Sequence, residues 1–554
     1  MTQTGQPLNT ANSLSPAARF VWPLLIIATL YVCYFHNLGV TGLLGPDEPR
    51  YAWIARDMAD GGDWVTPRLY GKPWFEKPVL YYWGAALSFK CFGVSEATAR
   101  LPSAISALLA TLAVAWLAGR IYGTETARWV LLLLPTTVGM IGFSHAAATD
   151  MPFAGMLTVA MVSAAVVVGM VPGYSNSSAW EPAGLVLLGV FLGLAVLAKG
   201  PAAIILCGGG VLSWATFTKR WRDAFRCLHP LAIASFCVTA LPWYIVCARR
   251  NPDFFHVFII EHNFKRYLTP EFQHIQPFWY YLPILAIAFL PWVVLLLGSA
   301  VLGISTLHQK RWPEPATLFL LCWALFCVVF FSVSRSKLPG YILPSVPPLG
   351  LLVTNTFVRA EPSFTKALMR GLCAFIGLLL LLTVALGGTV HFAALDSHAA
   401  DSRLMALVPL CFALANGGLT LKGRESGIPA RGAFAMLPIL ALLLFIPKLI
   451  AASRPYDLSG RSIARYLEGK RLNPAEVFVT DMPRGQHLSL NFYLRNEIPD
   501  WDPKEPRPGF LLSRRKRCSE IMPAGWLCHE QPAYLEESGY WVFRVENASV
   551  SWKP

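Results

Sequence analysis

Charged residues crowd residues 42–78, among them Asp47, Glu48, Arg50, Asp57, Asp60, Asp63, Arg68, Lys72, Glu76 and Lys77. The stretch lies between two strongly apolar regions, in a chain with only 14% charged residues. So much charge at a membrane boundary points to a site handling a polar or charged substrate, in an enzyme or a transporter. Asp47 also has a structural role open to it. The run Asp47-Glu48-Pro49 begins an amphipathic pattern with Tyr51, Ile54 and Met58 on one stripe, so Asp47 fits a helix N-cap. A cap needs one acceptor, which leaves Glu48 in surplus.

Composition sets the frame that must position these groups. The 554 residues are 55% hydrophobic, with a mean hydropathy of +0.48. A soluble fold cannot hide that much apolar surface, so the fold class is a polytopic α-helical membrane protein. The net charge of +14 does not point to nucleic acid. Most Lys and Arg sit in short loops between apolar segments or in the C-terminal tail, where they set topology and meet anionic lipid. The first apolar run, 20–38, lacks a small-residue cleavage site and reads as a retained anchor. Ten of the twelve cysteines fall in or beside apolar segments and read as packing residues. Cys518 and Cys528 lie in the polar tail, where an extracytoplasmic compartment favours a disulfide between them.

A span needs roughly 17–20 apolar residues. Candidates are 20–38, 103–119, 129–143, 151–171, 183–198, 202–217 and 231–247, followed by 278–297, 318–333, 341–357, 371–390, 404–419 and 433–451. That makes about thirteen transmembrane helices. Segment 79–94 is short, carries Lys90, and holds a Tyr81-Tyr82-Trp83 cluster suited to an interface. If it does not span, the loops with Arg120 and Arg128, Lys219 to Arg226, Lys310 and Arg311, Arg359 to Arg370, and Lys422 to Arg431 all face the cytoplasm. The positive-inside rule requires that arrangement, so 79–94 is expected to be interfacial. Residues 1–452 then form the membrane domain, with 42–102 an outer first loop carrying interfacial helices.

Residues 453–554 are polar, with a helix pattern at 459–467 and strand patterns at 476–479, 510–512 and 540–545. They are expected to form a small α/β domain on the outer side. Its basic run, Arg514 to Arg517, reads as solvated surface, with contact to anionic lipid headgroups as the alternative. The same topology puts residues 145–150, 249–276 and 334–341, with Lys199, on the outer face. Convergence there weighs against a transporter, whose charges and helix breaks sit near the bilayer midplane.

The strings Asp47-Glu48-Pro49-Arg50-Tyr51-Ala52, Gly62-Asp63-Trp64, Phe75-Glu76-Lys77-Pro78 and Tyr81-Tyr82-Trp83 resemble the first loop of membrane glycosyltransferases. The group is the polyprenyl- or dolichyl-phosphate-sugar transferases related to protein O-mannosyltransferases, of GT-C fold. Arg100-Leu101-Pro102-Ser103-Ala104, Thr149-Asp150-Met151-Pro152, Leu197-Ala198-Lys199-Gly200-Pro201 and Lys337-Leu338-Pro339-Gly340-Tyr341 match in the same order. Within that superfamily the chain most resembles bacterial 4-amino-4-deoxy-L-arabinose transferases acting on lipid A. The string from Gly45 to Ala52, the length and the single C-terminal domain carry this likeness.

The resemblance implies sugar transfer from undecaprenyl phosphate to a lipid A phosphate at the periplasmic face of the inner membrane, giving resistance to polymyxin-like cationic peptides. It implies a monomer whose partners are the lipid-linked donor, lipid A and membrane lipid, with no nucleic acid. A protein O-mannosyltransferase is the alternative, and a lipid or sugar transporter a more remote one. The leaving group is a lipid phosphate, so the transition state needs positive charge beside the departing oxygen. Lys77, Arg266 and Lys337 are the expected cations, with Tyr341 as a neutral donor and Lys199 beside them. Asp47 resembles the family's catalytic acid, with Glu48 next to it, and Asp150 resembles the second acidic position. Asp47 would be a general base toward a hydroxyl. Toward an already anionic lipid A phosphate it would orient the acceptor or pair with the sugar's ammonium. No cofactor is required, although Glu76, Asp47 and His262 offer ligands suited to a divalent cation.

Overall fold

The computed structural model describes residues 16–172, 180–265, 275–359, 457–517, 522–529 and 533–547. The spans expected at 371–390, 404–419 and 433–451 lie outside the described residues, as do Arg266 and the side chain of His262.

The described chain is mostly helix. It opens with α1 (Pro16–Tyr34), α2 (Asp47–Gly61), α3 (Leu80–Phe92), α4 (Glu96–Ile121), α5 (Thr124–Leu133) and α6 (Val138–Ser144). There follow α7 (Asp150–Val167), α8 (Trp180–Lys199), α9 (Ala202–Thr218), α10 (Trp221–Phe225) and α11 (Pro230–Arg250). The last helices of this part are α12 (Tyr281–Ala288), α13 (Val293–His308), α14 (Pro315–Val333) and α15 (Val346–Arg359). Among the described residues six helices are long and apolar enough to cross a membrane, or up to eight if two bent pairs each count as one span. The chain is therefore a multi-pass membrane protein.

Two segments expected as single spans are broken. Within 129–143 the axis turns by 60° between α5 and α6, and within 278–297 by 120° between α12 and α13. Pro135 and Pro291 sit at these breaks. A proline lacks the N–H for the helical ladder and its ring clashes with the preceding turn. Segment 79–94 folds as α3, only 13 residues long. At 1.5 Å per residue it reaches about 20 Å, short of a hydrocarbon core of about 30 Å. It buries Tyr81, Tyr82, Ala85, Ala86 and Phe89, while Leu87 and Phe92 stay exposed, as suits a helix lying at an interface.

The membrane core is built on small residues. Ala104, Ala107, Ala110 and Ala118 of α4 and Ala154, Ala160 and Ala164 of α7 are fully buried, which lets the two backbones approach closely. A second apolar cluster joins the first loop to the bundle. Tyr51, Ile54 and Met58 of α2 pack with Tyr81 and Tyr82 of α3 and with Trp243, Phe254 and Phe258.

Residues 457–547 contribute α16 (Arg461–Gly469), α17 (Arg484–Leu494) and a five-stranded sheet. Its strands are β3 (Val477–Val479), β4 (Gly509–Ser513), β5 (Trp526–Cys528), β6 (Ala533–Leu535) and β7 (Tyr540–Asn547); β1 (Arg68–Leu69) and β2 (Lys72–Pro73) form a hairpin in the first loop. The order is β3-β4-β7-β5 with β6 also on β7, and only β3 and β4 run parallel. Ile463 and Leu467 of α16 and Leu490 of α17 pack on Val477, Leu512 and Val542. The Asp457 carboxylate accepts from Ser459 N, Ser459 Oγ and Ser462 N just before α16. Burial alone would raise its pKa, but these bonds outweigh it and hold the carboxyl below its ordinary value. Cys528 is disulfide-bonded, and Cys518 lies outside the described residues.

Candidate active site

Arg100, at the start of α4, organises the first loop. A guanidinium has five N–H donors, and all five are placed here. Nε and one Nη2 hydrogen grip Glu48 at 2.9 and 2.8 Å. The others reach the carbonyls of Leu38, Thr41 and Gly42 at 2.7, 2.8 and 2.8 Å. Glu48 is equally saturated, since its Oε2 accepts from Leu44 N and its Oε1 from Ala147 N, each at 2.7 Å. Four bonds occupy the four lone-pair directions of a carboxylate. Both oxygens of Glu48, expected beside the catalytic Asp47, are thus taken by protein donors. Glu48 ties the entry to α2 to the turn just before α7.

Asp47 is the first residue of α2, and Pro46 stands at the N-cap with no side-chain cap bond. The capping role thus falls away. The Asp47 side chain is 54% exposed, and its Oδ1 meets Arg50 Nη2 at 2.6 Å. The same Nη2 lies 3.0 Å from Glu76 Oε2, and Glu76 Oε1 lies 3.6 Å from Lys77 Nζ. Asp47, Arg50, Glu76 and Lys77 form one alternating row of charges. Arg50 is buried against the rings of Tyr51 and Trp74. Burial works to lower its pKa, but Glu76, Tyr51 and Asp47 outweigh that and raise it.

A divalent cation does not fit the described part of this row. Arg50 already bridges Asp47 and Glu76, filling the place a metal would take between them. Among the described residues no three His, Cys, Asp or Glu side chains gather to hold one.

Asp150 begins α7 and Lys199 ends α8, and they pair at 2.6 Å. An acid at a helix N-terminus and a base at a C-terminus each suit the local helix dipole. Lys199 Nζ also sits 4.7 Å from the centre of the Tyr341 ring. The backbone of residue 340 comes so close to Asp150 that a Cβ there would collide with its carboxylate, so only glycine fits. Lys199, expected beside the carrier phosphate, pairs with Asp150 and lies against the face of the Tyr341 ring.

Lys337 is 6% exposed, with Nζ donating to Ser334 O at 2.5 Å and Gln276 O at 3.1 Å. Burial and neighbouring Arg335 pull its pKa below the ordinary lysine value. It stands with Arg335 on a groove of about 910 Å³ whose other walls include Ile275, Phe278, Leu282 and Val333. Those four apolar side chains are largely exposed, so the groove combines an apolar lining with two cations.

Arg50 and Arg100 are the site residues that sequence reasoning missed. Arg50 stands three residues after Asp47, the spacing of facing side chains on a helix, which was a usable signal. Arg100 lies 52 residues from Glu48, and nothing local announces that pair.

A family model described as dolichyl-phosphate-mannose-protein mannosyltransferase matches residues 20–258. The undecaprenyl phosphate-α-4-amino-4-deoxy-L-arabinose arabinosyl transferase of Enterobacter sp. (strain 638) is 34% identical over 369 residues, 65% of this chain and 65% of that protein. The match thus spans less than two thirds of that relative's length. The transferase of the same name from Yersinia enterocolitica is 30% identical over 419 residues, 74% of this chain and 73% of the relative. The crystal structure of ArnT from Cupriavidus metallidurans bound to undecaprenyl phosphate superposes with a TM-score of 0.76 at 25% identity, covering 96% of this chain and 99% of that one. A membrane helical body, a charged first loop and these matches converge: the chain belongs to the undecaprenyl phosphate-4-amino-4-deoxy-L-arabinose arabinosyl transferase family.

Proposed function

We propose that the protein transfers 4-amino-4-deoxy-L-arabinose from undecaprenyl phosphate to a phosphate of lipid A at the periplasmic face of the inner membrane. A lipid A phosphate oxygen attacks the anomeric carbon, the bond to the carrier phosphate breaks, and undecaprenyl phosphate leaves. The carrying observation is the half-exposed Asp47 at the head of the Asp47–Arg50–Glu76–Lys77 row. An anionic acceptor needs no strong base, so Asp47 orients the acceptor or pairs with the sugar's ammonium. Lys77 and Lys337, with Arg266 and Tyr341, hold the carrier phosphate as negative charge develops on it. Asp150 and Lys199 place Tyr341. The full architecture comprises about thirteen spans and an α/β domain from residue 453 onward.

The decisive experiment is mass spectrometry of lipid A from cells with and without the protein. Added aminoarabinose only with the protein supports the reading. Sugar appearing on protein with lipid A unchanged shifts it to the O-mannosyltransferase alternative.

Orientation has its own test. Cysteines replacing the exposed Lys72 and Lys504 are expected to react with an impermeant reagent added outside spheroplasts. Protection of either position overturns the topology.

Carrier binding is expected to weaken roughly ten- to a hundredfold in Lys77→Ala and in Lys337→Ala, the equivalent of about 1.5–3 kcal/mol for a bond to a charged group. The lowered pKa of Lys337 adds a sign. Its charge is lost at a lower pH than that of an ordinary lysine, so affinity for undecaprenyl phosphate falls early on the alkaline side. Wild-type affinity in both variants removes these lysines from the phosphate site.

A further inference from the structure

The backbone of residues 38–44, which leads into Asp47, forms neither helix nor strand, so its polar groups must find partners elsewhere. Arg100 and Glu48 satisfy one side of it. The other side is satisfied from the far end of the chain. Tyr493 Oη accepts from Leu43 N at 3.1 Å and donates to Glu96 Oε1 at 2.8 Å. Ser489 Oγ donates to Leu43 O at 3.0 Å. Arg461 donates to Gly39 O and Val40 O at 3.3 and 2.9 Å and pairs with Glu96 at 3.2 Å. The fit leaves no slack at residue 42, where a Cβ would collide with Ser459 Oγ. Further along, Arg56 of α2 donates to Phe492 O at 2.9 Å, and Arg495 pairs with Asp60.

We propose that Tyr493, Ser489 and Arg461 are positioning residues for transfer: the C-terminal unit forms one wall of the cradle that places Asp47. This rests on the reading of Asp47 as a reacting-site carboxylate. The contacts are made to backbone next to the site, not to the substrate. Loss of one therefore displaces Asp47 while the donor's binding groups, Lys77 and Lys337, stay in place. A displacement of about 1 Å at a reacting group can cost on the order of a hundredfold in rate.

Tyr493→Phe removes the bridging hydroxyl and keeps the ring. The full-length variant in lipid vesicles is expected to show turnover reduced roughly ten- to a hundredfold, with KM for the lipid-linked donor unchanged. Arg461→Ala should behave alike, and Arg461→Lys should recover part of the loss by restoring the charge facing Glu96. Arg515→Ala, which breaks a surface ion pair with Asp481 on the same unit, should leave turnover unchanged. Hydrogen exchange gives a readout independent of activity, since the Leu43 amide should exchange faster in Tyr493→Phe than in wild type. Unchanged exchange at residues 39–46 overturns the proposal, as does faster exchange with wild-type turnover. An inactive wild type would sink the functional reading, while the exchange comparison would still decide whether the C-terminal unit holds this backbone.

Discussion

Asp47→Asn is expected to lower aminoarabinose transfer at least about a hundredfold in a protein that still folds, the scale on which positioned acid–base and charged groups act. The structure separates the two effects. Pro46 occupies the N-cap and Asp47 makes no cap bond, so amidation leaves the helix start intact. What is lost is a favourable charge in the first turn and the 2.6 Å contact to Arg50, together about 1 kcal/mol at a half-exposed site. Arg50 keeps Glu76 as its partner. A stable, carrier-binding, inactive Asp47→Asn protein in a vesicle assay is the expected outcome. Near-normal modification of lipid A by this variant would remove Asp47 from the mechanism.

The second large effect concerns stability. Arg100→Ala should cost about 3–5 kcal/mol, the range for breaking a buried ion pair by deleting one partner. Glu48 would be left charged beside two backbone amides, and the carbonyls of Leu38, Thr41 and Gly42 would lose their donor. The midpoint of thermal unfolding in detergent, followed by loss of the monodisperse peak, should drop sharply. Glu48→Gln should be milder, because an amide oxygen still accepts from Leu44 or Ala147. Combining the two changes should cost less than the sum of the single effects, since the pair is lost once. A wild-type midpoint for Arg100→Ala would show that the cradle is not held by this guanidinium.

How far the sequence carried depended on the range of each interaction. The membrane class and the charged first loop were legible because hydropathy and charge are local. The stripe of Tyr51, Ile54 and Met58 was read correctly because helical periodicity is local too, and all three are buried. The partners of Glu48 were not legible, since they are an arginine 52 residues away and an amide 99 residues away. The bends at Pro135 and Pro291 were readable in principle, but continuous hydropathy on both sides masked them. The helix α17 went unnoticed because its sequence, RGQHLSLNFYL, has no clean apolar stripe. Its polar side chains serve the first loop, with Ser489 and Asn491 bonded to Leu43 and Tyr70. Such a pattern has meaning only once both partners are in place.

On the proposed function, the apolar groove beside Lys337 bears on how the lipid-linked donor is selected. A tail that slides into it from the bilayer passes from one oily medium to another, so the hydrophobic effect, which needs water on one side of the exchange, contributes little. Recognition then falls on the few atoms of the headgroup, and the long tail acts mainly as a tether. It confines the search to two dimensions and sets the effective concentration by mole fraction in the leaflet.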